Sequence, residues 1–232
     1  MSSRKPPSAD PERKRDATRG KLLDRALKLF QKRGVEATTM RDIAKAAGLS
    51  LGAAYYYFPS KEALVFAYYE ANQAELEEVA RRASGTVRER LGIVFHAKLE
   101  SIRPHRKMLS SIIQRLVDPS DPVGPFSTQT RAVREHAIGL IEQVLHASGL
   151  PVAVLPLVAR ALWLAQLALL LVFVNDDSPG EQRTHGLVDD LLDMLVPMLP
   201  LLGTPPGQAL CIKIVDALGR AGIPVTPASL VE

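Results

Sequence analysis

Apolar residues recur along this chain at spacings of three and four, the rhythm of a helix that buries one face, and no segment alternates like a strand. From Thr18 to Arg33, Leu22, Leu23, Ala26, Leu27, Leu29 and Phe30 form one stripe, and Gly34 ends it. Ile43, Ala44 and Ala47 mark a short second helix, with Thr39 as its cap and Gly48 supplying the positive φ of its stop. Ser50 caps a third helix that can run only to Phe58, because Pro59 disfavours helical dihedrals in the residue before it. Ser60 caps a fourth, expected to reach Ser84 before Gly85 stops it.

The helical rhythm continues beyond Gly85. Leu91, Phe95, Leu99 and Ile102 share a face between Val87 and Arg103, closed by Pro104, and a shorter apolar helix spans His105 to Val117. Residues 118–125 carry three prolines and a glycine and read as a loop. A helix from Phe126 or Ser127 to Ser148 points Val133, Ala137, Leu140, Ile141, Val144 and Leu145 inward, and Gly149 and Pro151 break it. Leu155 to Asn175 is apolar nearly all round, as in a helix packed on both sides. After a turn at Asn175–Gly180, Glu181 to Leu199 shows another apolar face; Pro200 to Gly207 reads as a linker and Gln208 to Arg220 as a last helix. The fold class is therefore all-α. The two helices from Leu155 to Leu199 offer more apolar surface than one subunit needs, so part of it is expected to meet a second copy.

Charge divides the chain in two. Residues 1–62 hold 14 Lys or Arg against 7 Asp or Glu, whereas the remainder holds 15 against 18. The excess of cations lies on the segment with the short capped helices, which suits phosphate neutralisation and points to nucleic acid over a membrane surface. Residues 1–15, polar and charged, read as a disordered basic arm whose Arg4, Lys5, Arg13, Lys14 and Arg15 add unspecific affinity. Met1–Pro11 lacks the apolar stretch of a signal peptide, and Cys211 stands alone, so a reducing cytoplasm is expected. The run from Ala161 to Val174, interrupted by Gln166, falls short of a bilayer span, and no membrane partner is expected.

The segment from Thr39 to Glu62 is a helix-turn-helix pattern: two short helices hinged at Gly48. The second of them carries small residues, Gly52 and Ala53, beside Tyr55 and Tyr56, so that backbone can approach a duplex while phenol hydroxyls reach phosphates. A competing reading places the two tyrosines in the core. Catalysis finds no support: His96, His105, His136, His146 and His185 lie apart without metal-ligand spacing, and neither a nucleophile elbow nor a Gly-rich phosphate loop occurs. No enzyme activity, metal or cofactor is expected.

Thr38-Thr39-Met40-Arg41-Asp42-Ile43-Ala44, then Ala47-Gly48-Leu49-Ser50, Gly52, Tyr55-Tyr56 and Phe58-Pro59-Ser60-Lys61-Glu62-Ala63-Leu64 resemble the DNA-binding domain of the tetracycline-repressor (TetR) family. The likeness covers Thr18 to Leu64; the rest matches in being helical. It implies a helix-turn-helix domain over 16–62, a helical effector-binding and dimerisation domain over 63–200, and a proline-rich linker with a C-terminal helix over 201–232. Carried over by position, it assigns phosphate contacts to Thr39 and Lys61, phosphate or thymine-methyl contacts to Tyr55 and Tyr56, and major-groove entry to Arg41, whose alternative is an ion pair with Asp42 or Glu36. Ser50 is a cap with a possible second contact to phosphate, while Leu51 and Ala53 offer only apolar contact. Ala54 and Tyr57 depart from the family pattern, and Ala54 needs Tyr57 or Phe58 to fill the space beneath the helix. The implied function is a dimeric transcriptional regulator, a repressor that binds a palindromic double-stranded operator and is released by a small hydrophobic effector. Candidate effector contacts are Phe95, Leu99, Met108, Ile112, Ile141, Trp163, Gln166 and Leu170, each of which also reads as core. The alternative is an architectural protein that binds DNA without sequence preference.

Overall fold

The first helix, α1 (Pro11–Arg33), starts inside the stretch expected to be a disordered arm. Proline is tolerated in a first turn, Glu12 suits the positive end of the helix dipole, and the Arg and Lys that follow are good helix formers; charge alone does not make this segment coil. The computed structural model describes residues 11–113 and 121–220, so expectations for residues 1–10, 114–120 and 221–232 lie outside it. The described elements continue with α2 (Met40–Ala47), α3 (Leu51–Tyr57), α4 (Lys61–Arg82), α5 (Val87–Ile102), α6 (Arg106–Ile113), α7 (Arg131–Leu145), α8 (Leu155–Asn175), α9 (Gln182–Leu195), α10 (Leu199–Leu202) and α11 (Pro205–Arg220). No strand occurs among the described residues.

The chain forms two compact units, and the division falls inside α4 between Tyr68 and Tyr69. The first takes in the described residues up to Tyr68 together with the segment from His105 to Ile113; the second takes in Tyr69–Pro104 and the described residues from Asp121 on. α6 thus falls in the first unit, where it packs on α1. An apolar stripe says that a helix is buried, not which neighbour buries it.

In the first unit, Leu22, Ala26 and Phe30 of α1 are fully buried with Ile43 of α2, Ala54 of α3 and Leu64 of α4. The α1–α2 turn is tied from several sides. Thr38, itself buried, donates to the Gly34 carbonyl at 2.8 Å, and Lys61 donates to the Val35 carbonyl at 2.9 Å. Thr39 and Asp42 form a capping box: the Asp42 N–H donates to Thr39 Oγ1 at 3.2 Å, and the Thr39 N–H and hydroxyl donate to Asp42 Oδ2 at 3.0 and 2.6 Å. Arg33 adds a 2.7 Å ion pair to the same oxygen.

In the second unit, α7 and α8 pack closely, α5 packs on α9, and charged side chains cross between the last pair. Arg88 reaches Asp193 at 2.7 Å and Asp189 at 3.0 Å, and His96 Nδ1 lies 2.7 Å from His185 Nδ1. Buried Asp176 accepts from the N–H and hydroxyl groups of both Ser178 and Thr184, which holds its carboxyl far below the usual range and fixes the entry to α9.

Three boundaries differ from expectation. α7 begins at Arg131 because side chains hold the preceding residues in turns: Ser127 donates to the Pro122 carbonyl at 2.9 Å and Thr130 to that of Gly124 at 2.6 Å. α9 stops at Leu195 and continues as a 3-10 turn, Val196–Met198. The expected linker Pro200–Gly207 instead contains α10 and the start of α11, since its prolines occupy first-turn positions that need no N–H. α8 is also long and apolar enough, by length and composition, to cross a membrane. It packs on α7, and its Arg160 pairs with Glu135 there at 3.0 Å.

Thr39→Ala removes the cap and is expected to destabilise the protein by about 1 kcal/mol in urea denaturation. Thr39 hydrogen bonds, helped by Arg33, hold the Asp42 carboxyl below its ordinary value of 3.8. A depressed carboxyl stabilises the fold fully above that value and loses its contribution as pH falls through the lowered one. The gap between wild type and Thr39→Ala should therefore be widest near neutrality and narrow in acid; a constant gap contradicts the capping-box assignment.

Candidate nucleic-acid interface

α3 has seven residues, too few to hold a helix by propensity, so its position rests on its ends and one buried face. At its entry, Gly48 adopts φ 69°, ψ 35°; its N–H reaches the Lys45 carbonyl at 3.1 Å and the Leu49 N–H that of Ala44 at 2.9 Å, a Schellman stop. Ser50 Oγ then accepts the Ala53 N–H at 3.1 Å. At the exit, the Phe58 N–H closes on the Ala54 carbonyl at 3.0 Å before Pro59 forbids another turn. Ala54 and Phe58, four residues apart, are both buried.

The opposite face of α3 carries Gly52, Tyr55 and Tyr56 at i, i+3 and i+4. Tyr55 is 48 % exposed and Tyr56 71 %, which removes the core reading of both. A Cβ built on Gly52 meets nothing within 4 Å, so no packing inside the protein requires glycine there. Leu51 and Ala53 flank this face half-buried.

Around it, the expected contacts divide. Arg41 is exposed, and among the described residues it forms no ion pair with either Asp42 or Glu36; Asp42 is occupied by Thr39 and Arg33. Thr39 is exposed, but its hydroxyl proton is committed to Asp42 and one lone pair takes the Asp42 N–H, so capping is its first role and only the second lone pair remains. Ser50 is likewise a cap with an exposed side chain. Lys61 spends two donors on the Val35 and Glu36 carbonyls, at 2.9 and 3.3 Å, and is primarily a brace between α4 and the α1–α2 turn.

Sequence reasoning missed the rigid cations of α1. The Arg15 guanidinium sits 6.0 Å from the Tyr56 ring centroid and that of Arg19 5.0 Å from Phe58, close enough for cation–π attraction. Arg15 thus lies on a helix beside the exposed tyrosine. The Pro11-Glu12 opening of α1 was the available signal.

The residues expected to form the effector site are divided between the two units. Met108 and Ile112 belong to the core of the first unit, while Phe95, Leu99, Ile141 and Trp163 are buried in the second. Trp163 meets Phe126 edge-on at 5.9 Å. Gln166 and Leu170 are half-buried. A separate apolar cavity of about 790 Å³ lies between α8, the end of α9, α10 and α11, lined among others by Leu157, Leu162, Leu199, Leu210 and Ile214; none of the eight expected residues reaches it.

The family model for bacterial regulatory proteins of the tetR family matches residues 22–68, and that for the tetracyclin repressor-like C-terminal domain matches residues 90–201. Over 60 residues the chain is 50% identical to the HTH-type transcriptional repressor KstR2 of Rhodococcus jostii (strain RHA1), covering 26% of this chain and 29% of that protein. The chain thus spans less than a third of that relative's length. Two solved structures share the fold. The TetR transcriptional regulator from Nitrosomonas europaea ATCC 19718 superposes with a TM-score of 0.61 at 19% identity, covering 77% of this chain and 98% of its own. FadR from Thermus thermophilus, a TetR-family transcriptional repressor in complex with lauroyl-CoA, gives 0.51 at 25% identity over 77% and 92%.

Gly52→Ala separates folding from binding. An alanine in an exposed helix is expected to stabilise the protein by about 0.5–1 kcal/mol, because glycine loses more backbone entropy on folding. The added methyl stands on the open face, and DNA affinity in a fluorescence-anisotropy titration should fall at least several-fold. Unchanged affinity would remove this face from the interface.

Proposed function

The chain belongs to the TetR family of bacterial regulatory proteins, and we propose that it is a sequence-specific repressor that binds a palindromic operator as a homodimer and leaves it when a small hydrophobic effector binds. One observation carries the reading: a doubly capped short helix presents Gly52, Tyr55 and Tyr56 outward, with exposed Arg41 and the α1 cations in the same unit. Small residues permit close approach, the tyrosines reach backbone phosphates, and a free guanidinium can pair two-pronged with guanine N7 and O6. The relatives are transcriptional regulators, and KstR2 is called a repressor.

Dimerisation follows from the needs of a palindrome, whose half-sites present successive major grooves about 34–36 Å apart. Exposed Leu164, Leu171 and Val172 lie at i, i+7 and i+8 on α8, and Met194 and Met198 are exposed on and just beyond α9; such a surface supports pairing of two copies. The lauroyl-CoA complex of the Thermus FadR supports an effector with an apolar part. To take an operator from nearly full to nearly empty, the effector must favour the non-binding shape by roughly 5.5 kcal/mol. The site of action proposed is the cytoplasm, where the operator lies.

Selection of genomic fragments with the purified protein tests the reading. A shared palindrome should emerge, and Arg41→Ala should lose more affinity for it than for random DNA. Recovery of unrelated sequences, bound equally well with a steep salt dependence, would instead favour the architectural alternative.

A further inference from the structure

α11 is fixed to α10 at its first turn. Thr204 Oγ1 accepts the Gly207 N–H at 3.3 Å while donating to the Leu201 carbonyl at 2.6 Å, and the Gln208 side-chain amide donates to the Gly203 carbonyl at 2.7 Å. Gly207 sits so close to α10 that a Cβ there would collide with the Leu201 carbonyl oxygen and lie 2.7 Å from Leu202 Cα. Backbone contact at this corner therefore sets how far α11 stands from α8, and apolar side chains do not close the space between them. What remains is a cavity of about 790 Å³, within the size range of small-molecule sites.

Leu157, Ala161 and Leu162 contribute to its wall from α8, and Leu210, Cys211 and Ile214 from α11. Among the described residues no charged side chain lines it, and none of the lining comes from α4, α5, α6 or α7. The one hydroxyl of the wall, on Thr204, has its proton on the Leu201 carbonyl, which leaves the weakly donating Cys211 thiol. A carboxylate or an ammonium brought here would lose its hydration with no counter-charge in the wall. Met198 is 52 % exposed and Leu201 and Leu210 53 % each, so the lining keeps apolar surface in water unless something covers it. A flat face of a second copy laid over the mouth would leave the void inside, whose lining then forfeits contacts; a molecule that enters fills it.

We propose that this cavity is a binding site for an uncharged, lipid-like small molecule with at most one hydrogen-bonding group. Exclusion of charge, more than any single polar contact, selects the ligand. That this molecule is the effector rests on the regulator reading above; its binding does not. Met198 lines the cavity and also belongs to the surface proposed for pairing, so occupancy acts on how two copies meet.

Titration of the full chain with the neutral fluorophore N-phenylnaphthylamine near neutral pH, followed by displacement with decanol or decanoate, tests it. The fluorophore should bind at micromolar concentration, and decanol should displace it about tenfold more effectively than decanoate, since only the carboxylate sheds hydration without a partner. Ala161→Phe and Leu210→Trp, which enlarge lining side chains, should each weaken fluorophore binding about tenfold. A second readout needs no variant. Cys211 is the chain's single cysteine and lines the cavity, so bound fluorophore should slow its alkylation by N-ethylmaleimide several-fold. Absence of binding, displacement by decanoate as readily as by decanol, unchanged affinity in both folded variants, or unchanged alkylation overturns the proposal. Protection of Cys211 that grows with protein concentration and needs no fluorophore also overturns it, and makes a second copy the occupant. In each case retained operator binding by ligand-free wild type leaves the regulator reading standing.

Discussion

A helix of seven residues does not persist alone in water, and the proposed reading head of this protein is one. Its existence depends on a chain of restraints that begins outside it. The Thr39–Asp42 capping box, reinforced by Arg33, starts α2; left-handed Gly48 ends it at a defined angle; Ser50 starts α3, and buried Ala54 and Phe58 hold it down. With its ends fixed and one face anchored, α3 can leave its other face exposed, its tyrosine hydroxyls turned away from the core. That freedom is the condition for function, since groups already satisfied inside the protein have nothing to offer a duplex.

The head was legible because its signals are local. Caps, stops and the Phe58-Pro59 break act over a few residues, and they set the ends of α2 and α3 almost as read. The start of α1 was lost for a different reason: a charged, proline-containing stretch has the composition of coil, yet proline and glutamate in a first turn favour helix. Arg15 was thereby counted as part of a tail when it lies against Tyr56. For Thr39 and Lys61 residue type was read correctly, but their donors are largely taken by the protein, which no spacing could reveal.

The second unit was legible as helices, but its apolar pattern does not single out a site. Apolar periodicity selects the buried positions, and Phe95, Leu99, Ile141 and Trp163 are indeed buried, but periodicity carries no information about which buried faces leave a gap. It also could not assign α6 to the head.

The account stands on α3 facing a duplex twice in one assembly. The most direct test attaches an iron chelate to a cysteine at position 56, with Cys211 replaced by alanine, and maps oxidative cleavage on operator DNA. Two clusters of cuts on one side of the duplex, separated by about one helical turn, are expected. Cleavage spread evenly along any sequence, or a single cluster, would contradict it.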